Sequence, residues 1–116
     1  MISEAELLED VSWDMEIKSV KKRAFAFGDD GAKWVSGTMS GYEFSALVFP
    51  MPAENRAWEV GGTSRISKLE IKKIGAGWDE STYRWDRGLD RAPTDKVTAA
   101  IVGFLCEGLA EHIFGV

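Results

Sequence analysis

The fold is decided by residues 33–49, KWVSGTMSGYEFSALVF. Ser40-Gly41 is typical of a two-residue hairpin turn, and such a turn pairs the flanking strands residue by residue. The first face of the hairpin then carries Lys33, Val35, Gly37, Met39, Tyr42, Phe44, Ala46 and Val48, and the second carries Trp34, Ser36, Thr38, Glu43, Ser45 and Leu47. The first face is apolar almost throughout, and we expect the ring of Phe44 to cover the gap left by Gly37.

A long amphipathic helix is predicted over Thr94–Phe114, where apolar residues recur at three- and four-residue steps. Its apolar stripe comprises Val97, Ala100, Ile101, Phe104, Leu105, Gly108, His112 and Ile113. Pro93 is suited to a helix start and Gly115 to a helix end. We expect this helix to cover the first face of the hairpin.

Three further segments are predicted to be strands. Residues 13–27 have a strand-like pattern and are followed by a Gly28–Gly31 turn, residues 67–73 alternate apolar and charged, and residues 81–86 place Tyr83 and Trp85 on one side. In the second of these, Leu69 and Ile71 are expected to point inward and Lys68, Glu70 and Lys72 to lie in water. A stretch with two prolines and two glycines, residues 50–64, separates the strand at residues 67–73 from the hairpin.

A short helix is predicted over Glu4–Glu9, because Ser3 and Glu6 form a capping box and Ile2 and Leu7 a hydrophobic staple. The expected fold class is therefore α+β: an antiparallel meander of four to five strands, with the long C-terminal helix on one face and the short N-terminal helix. The length of 116 residues predicts one domain, residues 1–116.

The composition excludes several classes of function. A net charge of −5 disfavours a nonspecific nucleic-acid binder, which needs clustered Lys and Arg. The single cysteine, Cys106, allows no internal disulfide and is typical of a cytoplasmic protein. No leader peptide and no apolar run long enough for a membrane span is recognised, and no metal or cofactor is implied.

Two residues with reactive side chains favour structural roles. Cys106 lies within the predicted helix, away from a helix N-terminus that would lower its pKa, so a packed or half-buried thiol is expected. His112 is the only histidine, and a capping or partly buried role near the helix end is expected. The two lie six positions apart, about 9 Å along a helix, which is too far for a catalytic pair.

An aromatic patch on the second face of the hairpin is the leading candidate site. It comprises Trp34, Leu47 and Phe49, with Phe25 and Phe27 added if Gly28–Gly31 forms a four-residue loop that places Phe25 opposite Trp34. Either the N-terminal helix covers this patch, or the patch remains exposed as an interface. We hypothesise a non-enzymatic module that binds a protein partner or a second copy of itself through this face.

A second candidate is a small-ligand or enzyme site around Trp85. Its residues are Arg65, Arg84, Trp85, Asp86 and Arg87, which supply guanidinium groups for an anion and a carboxylate for acid–base chemistry. Exposed ion pairs that shape a loop are the plain alternative.

Three segments resemble a family of small uncharacterised bacterial and phage proteins. They are Lys33–Phe44, Ser64–Leu69 and Trp85–Asp90, within a similar region that extends from Lys33 to His112. The family has no assigned activity, so the resemblance implies an accessory protein of bacterial or mobile-element origin and no functional residue.

Overall fold

A computed structural model describes residues 15–22 and 31–115. The described elements are β1 (Glu16–Lys22), β2 (Lys33–Met39), β3 (Tyr42–Val48), β4 (Ile66–Lys73), β5 (Tyr83–Asp86), β6 (Leu89–Arg91) and a C-terminal helix α1 (Lys96–Phe114). The strands form one antiparallel sheet in the order β1 to β6. The predicted α+β class and meander are confirmed, but the sheet has six strands where four to five were predicted.

The register predicted for the β2–β3 hairpin is confirmed. Gly37 lies opposite Phe44, and Ser36 lies opposite Ser45. Ser40 and Gly41 have φ values of 52° and 83°, both positive, as the tight turn of a two-residue hairpin requires. The turn thereby sorts the hairpin side chains into the two faces expected from the sequence.

The hydrophobic core lies between the first face of the hairpin and α1. Its sheet side includes Val35, Met39, Phe44, Ala46, Val48, Ile66, Leu69, Ile71 and Tyr83, and its helix side includes Ile101, Leu105, Leu109 and Ala110. The Phe44 ring occupies the space that a side chain at position 37 would need. A Cβ built on Gly37 would lie 2.7 Å from Cζ of Phe44 and 2.5 Å from the carbonyl oxygen of Glu16.

Helix α1 begins later than predicted. Its N-cap is Asp95, whose Oδ1 accepts a hydrogen bond of 2.7 Å from the Thr98 N–H, so Pro93 lies before the cap and not in the first turn. Oδ2 of Asp95 also accepts a hydrogen bond of 3.2 Å from the Tyr42 hydroxyl. Burial, together with the Asp95 carboxylate, raises the pKa of Tyr42. One side chain thus caps α1 and ties it to the hairpin.

The C-terminal end of α1 is as predicted, with Gly115 in the left-handed conformation. The buried stripe, however, is rotated relative to the prediction and consists of Thr98, Ile101, Leu105, Leu109 and Ala110. Thr98 is fully buried, and its hydroxyl donates a hydrogen bond of 2.9 Å to the Thr82 hydroxyl. His112 was placed in the stripe but is exposed.

By length and composition, α1 meets the criterion for a membrane-spanning helix, with a mean hydropathy of 1.5. The expectation that no segment is this apolar is therefore corrected for α1. Core helices of soluble proteins meet the same criterion, and the buried stripe of α1 packs on the sheet.

Strand β1 pairs with β2 in a register that differs from the one considered for Phe25. Lys21 lies opposite Trp34, and Ser19 lies opposite Ser36, where the two hydroxyls are 2.6 Å apart. Lys21 therefore occupies the position opposite Trp34 in which a four-residue loop would place Phe25. Ile17 packs against the core. Phe25, Phe27 and the helix predicted over Glu4–Glu9 lie outside the described residues.

Strand β6 was not predicted. Trp85 lies opposite Leu89, so three residues, Asp86, Arg87 and Gly88, connect the paired positions of β5 and β6, with Arg87 at a φ of 55°. The Asp86 N–H donates to the Gly88 carbonyl at 2.9 Å, and the Arg87 N–H donates to the Ser67 carbonyl at 2.9 Å. The charged run that was interpreted as a loop is therefore the end of a hairpin.

Lys72 was predicted to lie in water but is only 6% exposed. Its ammonium group is 2.7 Å from the Glu43 carboxylate, donates to the Ala76 carbonyl at 2.7 Å, and lies 4.8 Å from the ring centroid of Trp78. A lysine buries its charge only when it is paired in this way. The turn between β4 and β5 thus folds over this part of the second face.

We predict that Gly37→Ala destabilises the protein by about 1–3 kcal/mol, because the new methyl group overlaps the Phe44 ring and the Glu16 carbonyl. Gly103→Ala is the control, since a Cβ at this exposed helical position meets nothing within 4 Å. The control should stabilise the protein by about 0.5–1 kcal/mol through helix propensity. Urea unfolding measures both changes, and equal stability of Gly37→Ala and the unsubstituted protein would contradict the packing described.

Candidate functional site

The face of the sheet opposite α1, called here the back face, carries side chains in rows across β2 to β5. One row consists of Trp34, Leu47, Lys68 and Asp86, and the next consists of Ser36, Ser45, Glu70 and Arg84. Because residues directly opposite each other in antiparallel strands are close neighbours, each row forms a line of contacting side chains.

The charges of the back face pair with each other along these rows. Nη2 of Arg84 is 2.6 Å from Oε2 of Glu70, and Nζ of Lys68 is 3.7 Å from Oδ1 of Asp86. The Lys72–Glu43 pair adds a third case at 2.7 Å. The back face is therefore strongly charged in composition but balanced in sign.

Trp34 lies beside these charges with its side chain in part exposed, at 37%. It lines a cleft of about 330 Å³, and the other lining residues are Ser45, Lys68, Leu69, Glu70, Arg84, Trp85, Asp86 and Asp90. Leu47, its neighbour in the row, is only 1% exposed and offers no surface to a partner. Phe49 is half-buried and lines a different cleft. Of the described residues in the predicted aromatic patch, Trp34 is thus the one exposed on this face.

The second predicted site is divided between the two sides of the sheet. Arg84 and Asp86 lie on the back face, whereas the ring of Trp85 packs against the core and its Nε1 donates to the Trp58 carbonyl at 2.9 Å. Arg65 is turned toward α1, where its Nη2 lies 3.9 Å from the Glu111 carboxylate. Arg84, Trp85 and Asp86 nevertheless line the cleft beside Trp34, whereas Arg65 and Arg87 are not part of its lining.

Arg87 lines a separate cleft of about 320 Å³ at the end of the sheet, called here the Arg87 cleft. Its apolar wall comes mainly from the segment after β3, with Phe49, Pro50, Met51, Pro52 and Trp58. Sequence analysis treated residues 50–64 as an irregular connection and missed this cleft. The signal available was the combination of two prolines, a methionine and a tryptophan within a short stretch next to β3.

A buried carboxylate holds this irregular segment in place. Glu59 is almost fully buried, and its side chain accepts hydrogen bonds from the backbone N–H groups of Ala53 and Arg65, the second at 2.7 Å. Nη1 of Arg65 in turn donates to the Pro50 carbonyl at 2.8 Å. Glu59 and Arg65, which flank the loop at residues 60–64, are thereby part of the structural support of the cleft.

Cys106 is half-buried, as predicted, with its Sγ 3.9 Å from the Val60 carbonyl oxygen. Burial raises the pKa of the Cys106 thiol to about 11, which keeps it protonated and weakly nucleophilic at neutral pH. Within the described part of the chain, no group of three or more His, Cys, Asp and Glu residues is positioned to hold a metal ion.

Within the described residues, the geometry defines an α+β protein whose antiparallel sheet packs one face on the C-terminal helix and carries paired charges on the other. The chain belongs to the family of the domain of unknown function DUF7678, which matches residues 33–110. The match runs from the start of β2 into the last turns of α1 and confirms the resemblance to a family of unknown function. Comparisons with curated proteins and with solved structures gave no match.

We predict that Glu59→Gln destabilises the protein by about 1–3 kcal/mol, because the amide NH₂ of glutamine cannot accept one of the two backbone N–H groups and leaves it unpaired. Glu54→Gln is a matched control on the same segment, since Glu54 is exposed and makes no hydrogen bond or ion pair among the described residues. Chemical denaturation compares the two variants. Equal stability of the Glu59 and Glu54 variants would show that the two hydrogen bonds accepted by Glu59 do not stabilise the fold.

Proposed function

We propose that the protein is a non-enzymatic interaction module that self-associates through its back face, with Trp34 at the centre of the contact. The partly exposed Trp34 side chain carries the proposal. Tryptophan is strongly enriched at the energetic centres of protein interfaces, because it buries a large apolar area and keeps a polar N–H for hydrogen bonding.

The balance of charge on the back face favours a second copy of the chain over a partner of strong opposite charge. Lys68, Arg84 and Lys72 are each matched by a carboxylate in the neighbouring strand. A two-fold axis through such a surface places the same mixed charges on both sides, so cations of one copy can meet anions of the other. A highly acidic or basic partner would find no net charge to recognise here.

The back face also suits a sheet-to-sheet contact. Ser36 and Ser45 lie side by side in the back-face row next to that of Trp34, and both side chains are small. Two sheets pack face to face about 10 Å apart when their side chains interdigitate. The cleft beside Trp34 offers room for a side chain from the second copy.

We predict that the protein shows a concentration-dependent increase in mass toward a dimer between about 10 μM and 1 mM, and that Trp34→Thr abolishes it. Threonine is compatible with a β-strand, so the substitution removes the ring without opposing the fold. Sedimentation velocity measures the mass, and thermal unfolding confirms that the variant is folded.

Leu89→Thr is the matched control. Leu89 is an exposed strand residue that pairs with Trp85, so its side chain belongs to the opposite side of the sheet, and its loss should leave the dimer unchanged. A wild-type protein that stays monomeric up to about 1 mM, or a Trp34→Thr variant that dimerises equally well, would contradict the proposal.

A further inference from the structure

We infer that the Arg87 cleft binds a small organic acid that has an apolar body and a carboxylate. The inference is independent of the proposed self-association, because Trp34 does not line this cleft. Its volume of about 320 Å³ lies at the lower end of the ~300–1,000 Å³ found for small-molecule sites.

The apolar body is specified by the wall of the cleft. Trp58 lines the wall with 42% of its side chain exposed, and Met51 and Phe49 line it as well. Exposed large apolar side chains that surround a concave surface favour an apolar ligand, since its burial removes both surfaces from water.

The carboxylate is specified by Arg87. Among the described residues its guanidinium makes no ion pair and no hydrogen bond, in contrast to Arg84, Arg65 and Arg91. A guanidinium presents parallel N–H donors that match the two oxygens of a carboxylate. An unpaired arginine at the edge of an apolar cleft therefore selects an anion of this shape.

The backbone of Arg87 is held in an unusual conformation at this point. Its φ of 55° is one that glycine adopts more easily than any residue with a side chain, and the Arg87 N–H is fixed by the Ser67 carbonyl at 2.9 Å. The turn thus keeps an arginine where conformational preference alone favours glycine, and it fixes the origin of a side chain that lines the cleft.

Ser67 supplies a second, independent observation. It lines the cleft, is only 6% exposed, and its hydroxyl has no hydrogen-bond partner among the described residues. Unpaired buried hydroxyls are rare in folded proteins because they lose their bonds to water without replacement. A carboxylate bound next to Arg87 would bring an acceptor to this wall.

The cleft is also preorganised. Arg65 binds the carbonyl of Pro50, Trp85 binds the carbonyl of Trp58, and Glu59 clamps the backbone between these two wall residues. A rigid wall loses less conformational entropy when a ligand binds. Arg65 and Trp85, which the sequence analysis placed in a different ligand site, therefore act with Glu59 as positioning residues for this cleft.

Glu54 also lines the cleft and makes no ion pair within the described residues. Its carboxylate repels a simple anion but favours a ligand that carries an ammonium group beside the carboxylate, as a free amino acid does. Both ligands share the carboxylate and the apolar body, and Glu54 distinguishes them.

The test is an NMR titration with three probes: phenylpropionate, the neutral phenylpropanol, and phenylalanine, followed at the indole N–H of Trp58. We expect phenylpropionate to bind about 10- to 100-fold more tightly than phenylpropanol, the factor expected for a charge-assisted hydrogen bond. Arg87→Gln should reduce the affinity for phenylpropionate to that for phenylpropanol and leave the alcohol unaffected.

Arg56→Gln is the matched control, because Arg56 is an exposed cation near Trp58 that does not line the cleft, and it should bind all probes as the unsubstituted protein does. Trp34→Thr should likewise leave binding unchanged, so that failure of self-association and failure of this site are seen separately. Thermal unfolding confirms that each variant is folded.

Two results would overturn the inference. One is the absence of saturable binding of phenylpropionate and phenylalanine up to about 10 mM. The other is equal binding of the acid and the alcohol, or an equal effect of Arg87→Gln and Arg56→Gln. If Glu54→Gln weakens the binding of phenylalanine alone, the ligand class narrows to amino acids. If it strengthens the binding of phenylpropionate, the class narrows to simple acids. Both results retain the carboxylate as the group that Arg87 binds.

Discussion

The two-residue turn at Ser40-Gly41 is the constraint on which the rest of the structure depends. Side chains alternate between faces along a strand, so the turn decides at once which residues of β2 and β3 meet α1 and which remain on the back face. A slip of one residue would place Trp34 and Ser36 against the helix and Val35 in the opposite layer. The Phe44 ring over Gly37 reinforces the same register, since only a glycine leaves room for the ring.

The sequence alone predicted those parts of the fold that rest on local patterns. The hairpin, the alternation of Leu69 and Ile71, and the end of α1 at Gly115 each depend on neighbours within a few residues. The register of β1 instead depends on contacts across the sheet, such as the Ser19–Ser36 pair, which no local pattern encodes. Lys72 was misplaced for the same reason, because the Trp78 segment that covers it lies beyond the next turn.

The candidate sites were only partly accessible from the sequence. Trp34 was identified because the hairpin register assigned it to a face, whereas the burial of Leu47 required the three-dimensional structure. Asp86 and Arg87 are adjacent in the chain and were grouped into one site, yet they line different clefts, because Asp86 ends a strand and Arg87 begins the following turn. The wall of the Arg87 cleft could not be predicted, since Glu59 and Arg65 hold it through hydrogen bonds to the backbone of distant residues.

The two faces of the sheet also divide the physical roles of the chain. The helix side holds nearly all the described apolar core and stabilises the fold, while the back face satisfies its charges in pairs and contributes little to stability at exposed positions. Membership of the DUF7678 family covers β2 to the last turns of α1 and therefore includes both the core and the back-face rows.

The most direct test of this account is the pattern of NOEs between the Hα protons of β2 and β3. A two-residue turn makes Thr38–Glu43 and Ser36–Ser45 the closely spaced pairs that lack mutual hydrogen bonds, with Cα atoms about 4.5 Å apart. The account predicts strong Hα–Hα NOEs within these two pairs. Strong NOEs from the Hα of Ser36 to that of Phe44 or Ala46 would show a register slipped by one residue, and both the core and the back face described here would then be wrong.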